Sequence, residues 1–171
     1  MAPMLIAIAG LPGAGKSTLA KGLQRECHAE IVSRDTLRLS EFPDWDDHAA
    51  KRAAFEVLRL DVSVLLRAGA KVIVDGATLS TRAERSALRT LANAEARPFA
   101  LLWVDTPAEL AAERIAADTV EAPRDRQPGL AHAVARRFEP PEAAEAPIVL
   151  DGRLTPAQVL EAALAALRTR T

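Results

Sequence analysis

Short apolar runs alternate with longer amphipathic stretches along most of this chain. The runs KVIVD (71–75) and FALLWVD (99–105) are apolar almost throughout, as strands covered on both faces should be. Because parallel strands are joined by helical crossovers, this alternation predicts a parallel α/β sheet. The predicted strands are 4–9, 30–33, 71–75, 99–104 and 148–150.

The segments between the strands have the 3.6-residue apolar spacing of helices that pack on one face. Thr155 followed by Pro156 predicts the N-cap and first turn of the last helix. The predicted helices are 16–26, 47–67, 80–95, 107–117, 129–138 and 155–169.

Length and composition indicate a soluble globular protein with one domain, residues 1–171. The formal net charge of −1 argues against a broad electrostatic grip on nucleic acid. There is no Tyr, and four Phe and two Trp offer few surfaces on which bases could stack. Nucleic acid is therefore not the favoured partner.

Cysteine usage and the apolar N-terminal run exclude other classes. The single Cys27 allows no internal disulfide, and no Cys/His cluster has the spacing of a zinc site. The apolar run 5–9 is too short for a signal peptide or a membrane span. We expect a cytoplasmic protein with no membrane association.

The sequence GLPGAGKST at 10–18 follows the first predicted strand and has the spacing G-x-x-x-x-G-K-S of a phosphate-binding loop. Glycines allow the tight turn that brings backbone N–H groups to phosphate oxygens, and a helix N-terminus points at the same place. Lys16 is placed to reach the β- and γ-phosphates, and Ser17 to bind Mg²⁺. The predicted nucleotide contacts are Leu11, Pro12, Gly13, Ala14, Gly15, Lys16, Ser17 and Thr18.

The rest of the chain distinguishes a transferase from a switch. A GTPase switch should have a D-x-x-G motif after its third strand and an N-K-x-D guanine-binding motif, whereas this chain has DGAT at 75–78 and no N-K-x-D. In SRDTLR (33–38), Asp35 and Arg38 follow the second strand with the spacing of one helical turn. A carboxylate there is a candidate base for an acceptor hydroxyl, and Arg38 is a candidate ligand for an anionic group.

Two further residues follow the third predicted strand. Asp75 ends the strand, where a carboxylate assists Mg²⁺ through water or, alternatively, faces the acceptor. Thr78 lies in the same loop and is a candidate contact to either ligand, or a helix cap.

Charge balance calls for a further cation. A triphosphate brings close to four negative charges, more than Mg²⁺, Lys16 and a helix end neutralise. The candidate catalytic arginines are Arg114, Arg124 and Arg126. The last two lie in the irregular stretch DTVEAPRDRQPG, and we expect residues of about 107–138 to form a mobile lid that excludes water.

Taken together, these motifs resemble the AAA-type ATP-binding kinases grouped around polynucleotide 5′-hydroxyl kinases and zeta-toxin-type kinases. GLPGAGKST resembles their phosphate loop, SRDTLR their strand-2 element, and VIVDGATLSTRAER and VDTPAELAAERIAAD the segments that follow. The resemblance implies that Lys16 and Ser17 serve ATP and Mg²⁺, that Asp35 is the general base and that Arg38 binds the acceptor.

We therefore predict a three-layer P-loop fold like that of nucleoside monophosphate kinases, with a parallel five-stranded sheet in the order 2-3-1-4-5. Its predicted function is Mg²⁺-dependent transfer of the γ-phosphoryl group of ATP to a hydroxyl of a small, anionic acceptor. Alternatives are a nucleoside monophosphate kinase, a 5′-hydroxyl polynucleotide kinase, or an ATP-binding regulatory or toxin–antitoxin module without enzymatic activity.

Overall fold

Five parallel strands form one sheet in the computed structural model, which describes residues 2–41, 48–117 and 129–169, without the side chains of 38–41 and 48–51. The sheet order is β2-β3-β1-β4-β5, and every neighbouring pair is parallel. The predicted fold class and strand order are therefore confirmed. The strands are β1 (Leu5–Ala9), β2 (Glu30–Ser33), β3 (Val72–Asp75), β4 (Phe99–Asp105) and β5 (Ile148–Asp151).

Seven helices and one short 3₁₀ helix are found in the described part of the chain. The region predicted as a single helix from residue 129 to 138 ends at Ala135, and a separate 3₁₀ turn, Ala143–Glu145, precedes β5. The helices are α1 (Lys16–Cys27), α2 (Arg34–Glu41), α3 (His48–Arg67), α4 (Arg82–Ala94), α5 (Ala108–Ala117), α6 (Gly129–Ala135) and α7 (Pro156–Arg168).

Two apolar layers cover the sheet, one on each face. Alternate residues of β1 face opposite layers: Ile6 and Ile8 pack with α1, α5, α6 and α7, whereas Leu5 and Ala7 pack with α3 and α4. All five residues of β1 are buried, which explains why its sequence is apolar at every position. Burial of each large aliphatic side chain contributes about 1.5–3 kcal/mol to stability.

The sheet register brings three strand ends to one edge. Ser33 at the end of β2 is paired with Asp75 at the end of β3, and Ala9 at the end of β1 is paired with Trp103 of β4. Because the strands are parallel, the connections after β1, β2 and β3 all leave from this edge. This is the edge at which open α/β sheets bind their ligands.

No helix in the described ranges is both long and apolar enough to cross a membrane.

Candidate active site

The connection between β1 and α1 turns sharply at three glycines. Gly10, Gly13 and Gly15 have φ angles of 151°, 79° and 95°. A Cβ atom on Gly13 would lie 2.3 Å from the carbonyl oxygen of Ala111 in α5, so only glycine fits there without displacing the backbone. A glycine-rich turn that leads directly into the N-terminus of a helix is the backbone arrangement that anion-binding sites use.

Lys16 is the first residue of α1 and is 9% exposed. Its Nζ donates a hydrogen bond of 2.8 Å to the carbonyl oxygen of Leu11, which also accepts from the N–H of Ala14 at 3.1 Å. The ammonium group is thereby held against the loop. Leu11 and Ala14 are buried, Pro12 is partly buried, and Thr18 is exposed.

Ser17 and Asp75 contact each other across the site. Ser17 Oγ donates to Oδ1 of Asp75 over 3.3 Å, and Asp75, the last residue of β3, is 8% exposed. Hydroxyl and carboxylate oxygens suit Mg²⁺, which otherwise keeps water and takes phosphate oxygens. Within the described ranges no group of three or more His, Cys, Asp and Glu residues could hold a metal. A Mg²⁺ held by Ser17 and Asp75 would leave further ligand positions for phosphate oxygens and water.

Asp35 lies in the first turn of α2 and packs against the backbone that follows β3. Ser33 precedes this turn, and its Oγ accepts a hydrogen bond of 3.4 Å from the N–H of Thr36. A Cβ on Gly76 would lie only 2.7 Å from the backbone nitrogen of Asp35, and Gly76 has a φ of +69°. Because Gly76 has no side chain, the start of α2 can pack directly against it, next to Asp75.

The connection between β3 and α4 is also joined to the phosphate loop. The carbonyl oxygen of Thr78 accepts a hydrogen bond of 3.1 Å from the N–H of Gly10. Thr78 therefore has a main-chain link to the loop, and its predicted side-chain contact to a ligand stays a prediction.

Of the four arginines predicted to have a role, the structure describes the side chain of Arg114 alone. Arg114 lies on α5, and its Nη2 donates a hydrogen bond of 2.9 Å to the carbonyl oxygen of Gly152, just after β5. The side chain of Arg38 and the segment with Arg124 and Arg126 lie outside the described residues. The roles of all four arginines stay predictions.

The polar contacts at the start of α4 were not predicted from the sequence. Thr81 and Glu84 form a capping box, and Oε1 of Glu84 lies 3.6 Å from Nη1 of Arg34. The pattern Thr-x-x-Glu at 81–84 is a known signature of such a cap and would have located this turn. No local pattern indicates the ion pair with Arg34, because its two members are far apart in the chain.

An ion pair between Arg85 and Glu145 stabilises the connection between β3 and α4. Arg85 is 1% exposed, and its Nη1 donates a hydrogen bond of 2.9 Å to the carbonyl oxygen of Leu79. Its Nε and Nη2 bind the carboxylate of Glu145 at 2.6 and 2.9 Å. Arg85 holds the pKa of Glu145 below its usual range. Leu79 is fully buried with a φ of +47°, a conformation that persists only where the surroundings enforce it.

The chain was compared with known protein families and structures. The family model AAA_33, described as an AAA domain, matches residues 5–141, which is most of the chain. No curated protein is a significant match.

Several solved structures have the same fold at low sequence identity. A gluconokinase from Sinorhizobium meliloti 1021 has a TM-score of 0.75 at 18% identity, covering 98% of this chain and 93% of that one. A sugar kinase from Janibacter sp. HTCC2649 has a TM-score of 0.76 at 24% identity, with coverages of 97% and 95%. The APS kinase of Mycobacterium tuberculosis, in complex with AMPPNP and APS, has a TM-score of 0.75 at 20% identity and covers 98% of both chains.

Proposed function

The chain belongs to the AAA_33 family, and we propose that it is an ATP- and Mg²⁺-dependent kinase. It transfers the γ-phosphoryl group of ATP to a hydroxyl group of a small, anionic acceptor. The observation that carries this proposal is the contact between Ser17 and Asp75. Lys16, in the phosphate loop, precedes Ser17 in the chain. Gly76 follows Asp75, and the first turn of α2, which contains Asp35, packs on it. A phosphate-binding loop, a pair of oxygen ligands and a candidate base therefore share one edge of the sheet.

The proposed donor site is the loop 10–18. Its backbone N–H groups and the N-terminus of α1 bind the phosphates of ATP, and Lys16 neutralises the β- and γ-phosphates. Ser17 and Asp75 hold Mg²⁺, Asp75 through water in the proposed arrangement. A Mg²⁺ held by these residues would supply positive charge that offsets the charge developing during transfer.

Asp35 is the proposed general base. The acceptor hydroxyl oxygen forms a bond to the γ-phosphorus while the bond from that phosphorus to the oxygen of ADP breaks, and the hydroxyl proton passes to the carboxylate of Asp35. Arg38 binds the anionic group of the acceptor, because the guanidinium fork matches phosphate and carboxylate. A contact of Asp75 and Thr78 with the acceptor is the alternative role for these two residues.

Arg114, Arg124 and Arg126 are the proposed sources of a further positive charge at the transferred group. We assign them to a lid of about residues 107–138 within a single kinase domain, 1–171. Arg114 has a partner in the carbonyl oxygen of Gly152, which favours Arg124 and Arg126 for direct contact with phosphate.

The proposed location of the protein is the cytoplasm, where ATP is available as donor.

A small acceptor is favoured over a polynucleotide. The net charge of −1 and the few aromatic residues provide little for a long polyanion. The similar structures named above are kinases of a sugar acid, of a sugar and of APS, which supports a small acceptor. The finer resemblance to polynucleotide 5′-hydroxyl kinases and zeta toxins, and the monophosphate kinase alternative, remain second candidates.

The test is an acceptor screen with γ-labelled ATP and Mg²⁺. The panel contains gluconate, other sugars, APS, nucleosides, nucleoside monophosphates, aminoglycosides and 5′-hydroxyl oligonucleotides. We expect labelled product from one class of small acceptor, and loss of most of kcat in the variant Asp35→Asn.

Three other outcomes would contradict the proposal. A monophosphate kinase would keep much of its kcat in Asp35→Asn, because no dedicated base is needed. A polynucleotide kinase would label the oligonucleotide with a strong salt dependence. A regulatory module would hydrolyse ATP slowly, with no acceleration by any compound of the panel.

A further inference from the structure

We infer that Glu84 and Arg34 form a pair of positioning residues that fixes the orientation of Asp35. This inference rests on the proposed function, in which Asp35 is the general base. It goes beyond that function because neither Glu84 nor Arg34 is assigned a role in binding or chemistry there.

The carboxylate of Glu84 is held in place before it meets Arg34. Its Oε2 accepts hydrogen bonds of 3.2 Å from both the backbone N–H and the hydroxyl of Thr81. The hydroxyl of Thr81 in turn accepts from the N–H of Glu84 at 3.2 Å. This capping box leaves Oε1 directed at Arg34, whose Nη1 lies 3.6 Å away. Because the cap has already fixed the rotamer of Glu84, the ion pair costs little additional side-chain entropy.

Both members of the pair are partly shielded from solvent. The side chains of Arg34 and Glu84 are 16% and 26% exposed, so their attraction is screened less than that of a fully exposed surface pair. An ion pair with one member already fixed by a helix cap can therefore restrain the other member.

Arg34 and Asp35 are consecutive residues in the first turn of α2. That turn has a backbone contact with Gly76 and, through Arg34, the ion pair with Glu84. The contact with Gly76 limits how closely the turn can approach β3, and the ion pair restrains its rotation. Two restraints on adjacent residues of a short helix fix the direction in which Asp35 leaves the backbone.

The variant Glu84→Gln separates the charge from the cap. A second capping box, formed by Thr155 and Gln158 at the start of α7, has glutamine where the first has Glu84. Oε1 of Gln158 accepts hydrogen bonds from the N–H and the hydroxyl of Thr155 at 3.1 and 2.9 Å. Glutamine at position 84 should therefore retain the cap of α4 while removing the negative charge that faces Arg34.

We expect Glu84→Gln to lower kcat for phosphoryl transfer by about 3- to 30-fold, which lies within the range of coupling between contacting residues. The acceptor is the panel compound that gives the unmodified protein its highest turnover. The KM for ATP and the slow ATP hydrolysis without acceptor should stay within about twofold, because the phosphate loop is not part of the pair. Arg34→Gln should have a similar effect, and Arg34→Lys should recover most of kcat.

The double variant Arg34→Gln/Glu84→Gln tests the coupling. If the two residues act as a pair, the double variant has the kcat of a single variant rather than the product of both losses. Glu161→Gln, which removes an exposed carboxylate from α7, is the matched control and should retain full kcat.

The outcomes separate the inference from the function. If the unmodified protein transfers phosphate in an Asp35-dependent way and Glu84→Gln retains full kcat, the inference is wrong and the function stands. A loss in Glu84→Gln that comes with a lower melting temperature and an equal fall in folded protein would also overturn it, since the residue would then be structural. If no panel compound accepts phosphate, the function and the inference both fail.

Discussion

The residues of the phosphate loop are consecutive in the chain, whereas the facing part of the candidate site joins segments that are far apart in the chain. We call residues 10–18 the donor side. The acceptor side consists of the first turn of α2 (34–36), the connection 76–81 and the start of α4 (82–85). On the donor side the ammonium of Lys16 reaches a carbonyl five residues away. On the acceptor side Arg34 meets Glu84 and Arg85 meets Glu145.

This difference indicates how each side responds to substitution. On the donor side, a change at Lys16 removes a cation from the proposed nucleotide site and a hydrogen bond that lies within the loop, so the remaining fold should stay in place. A change on the acceptor side acts through contacts between elements, so it alters stability, positioning or both.

The largest expected effect is that of Lys16→Ala. Loss of a cation at the transferring phosphoryl group should lower kcat by about 10³- to 10⁵-fold. Because the hydrogen bond of Lys16 lies within the loop, the free energy of unfolding should change little. Lys21→Ala, an exposed lysine on the same helix, is the control and should retain full activity. Near-normal phosphoryl transfer by Lys16→Ala, with labelled ATP as substrate, would contradict the proposed function.

The next largest effect concerns Arg85, on the acceptor side. Arg85→Met leaves the carboxylate of Glu145, whose side chain is only 12% exposed, without its partner. It should lower the free energy of unfolding by about 3–5 kcal/mol, as measured by urea denaturation. Arg59→Met removes a partly exposed arginine that pairs with the exposed Glu56 and should cost about 1 kcal/mol or less.

The double variant Arg85→Met/Glu145→Leu tests the distinction between the two sides. Replacing both charges by apolar groups should recover most of the lost stability, while the hydrogen bond to Leu79 stays absent. We expect this double variant to bind an ATP analogue with the affinity of the unmodified protein and to have a higher KM for the acceptor. An equal loss of nucleotide affinity would show that the two sides do not differ in this way.

A smaller effect is expected for Gly76→Ala. Alanine at this position is strained by the φ of +69° and meets the backbone nitrogen of Asp35. We expect a loss of about 1–3 kcal/mol in stability and a lower kcat from displacement of Asp35. Gly69→Ala is the matched control, because Gly69 has a φ of +82° with nothing within 4 Å of a Cβ. Equal kcat in the two variants would show that the contact with Asp35 has no role in turnover.

The same distinction explains what could be predicted from the sequence. The apolar runs and the spacing of GLPGAGKST depend on neighbours in the chain, so the strands and the phosphate loop were accessible. The sheet order was predicted only through the P-loop kinase fold that these motifs resemble. Asp75 was also accessible, because a strand end is visible in the pattern. The approach of Gly76 to Asp35 and the pairing of Arg85 with Glu145 depend on tertiary packing, which no local pattern records. Gly76 in particular resembles an ordinary turn glycine until its neighbour is known.

The smallest effect is a pH dependence of stability that comes from Glu145. Its two hydrogen bonds with Arg85 hold its pKa below the ordinary value of about 4.5. In the unfolded chain the carboxyl group takes up its proton near that ordinary value, whereas in the folded protein it does so at a lower pH. The stabilisation is therefore complete above about pH 4.5 and is lost as the pH falls toward the folded-state pKa.

Urea denaturation of the unmodified protein and Glu145→Gln, from pH 7 down to pH 3, measures this effect. The two free energies of unfolding should differ most above about pH 4.5 and should converge below it. Asp151→Asn is the control: the pKa of Asp151 is lowered as well, by hydrogen bonds with Arg153, but its side chain is 48% exposed. Its difference from the unmodified protein should accordingly be smaller. A gap for Glu145→Gln that is constant across the pH range would mean that the ion pair with Arg85 contributes nothing through charge, and that the acceptor side is supported by packing alone.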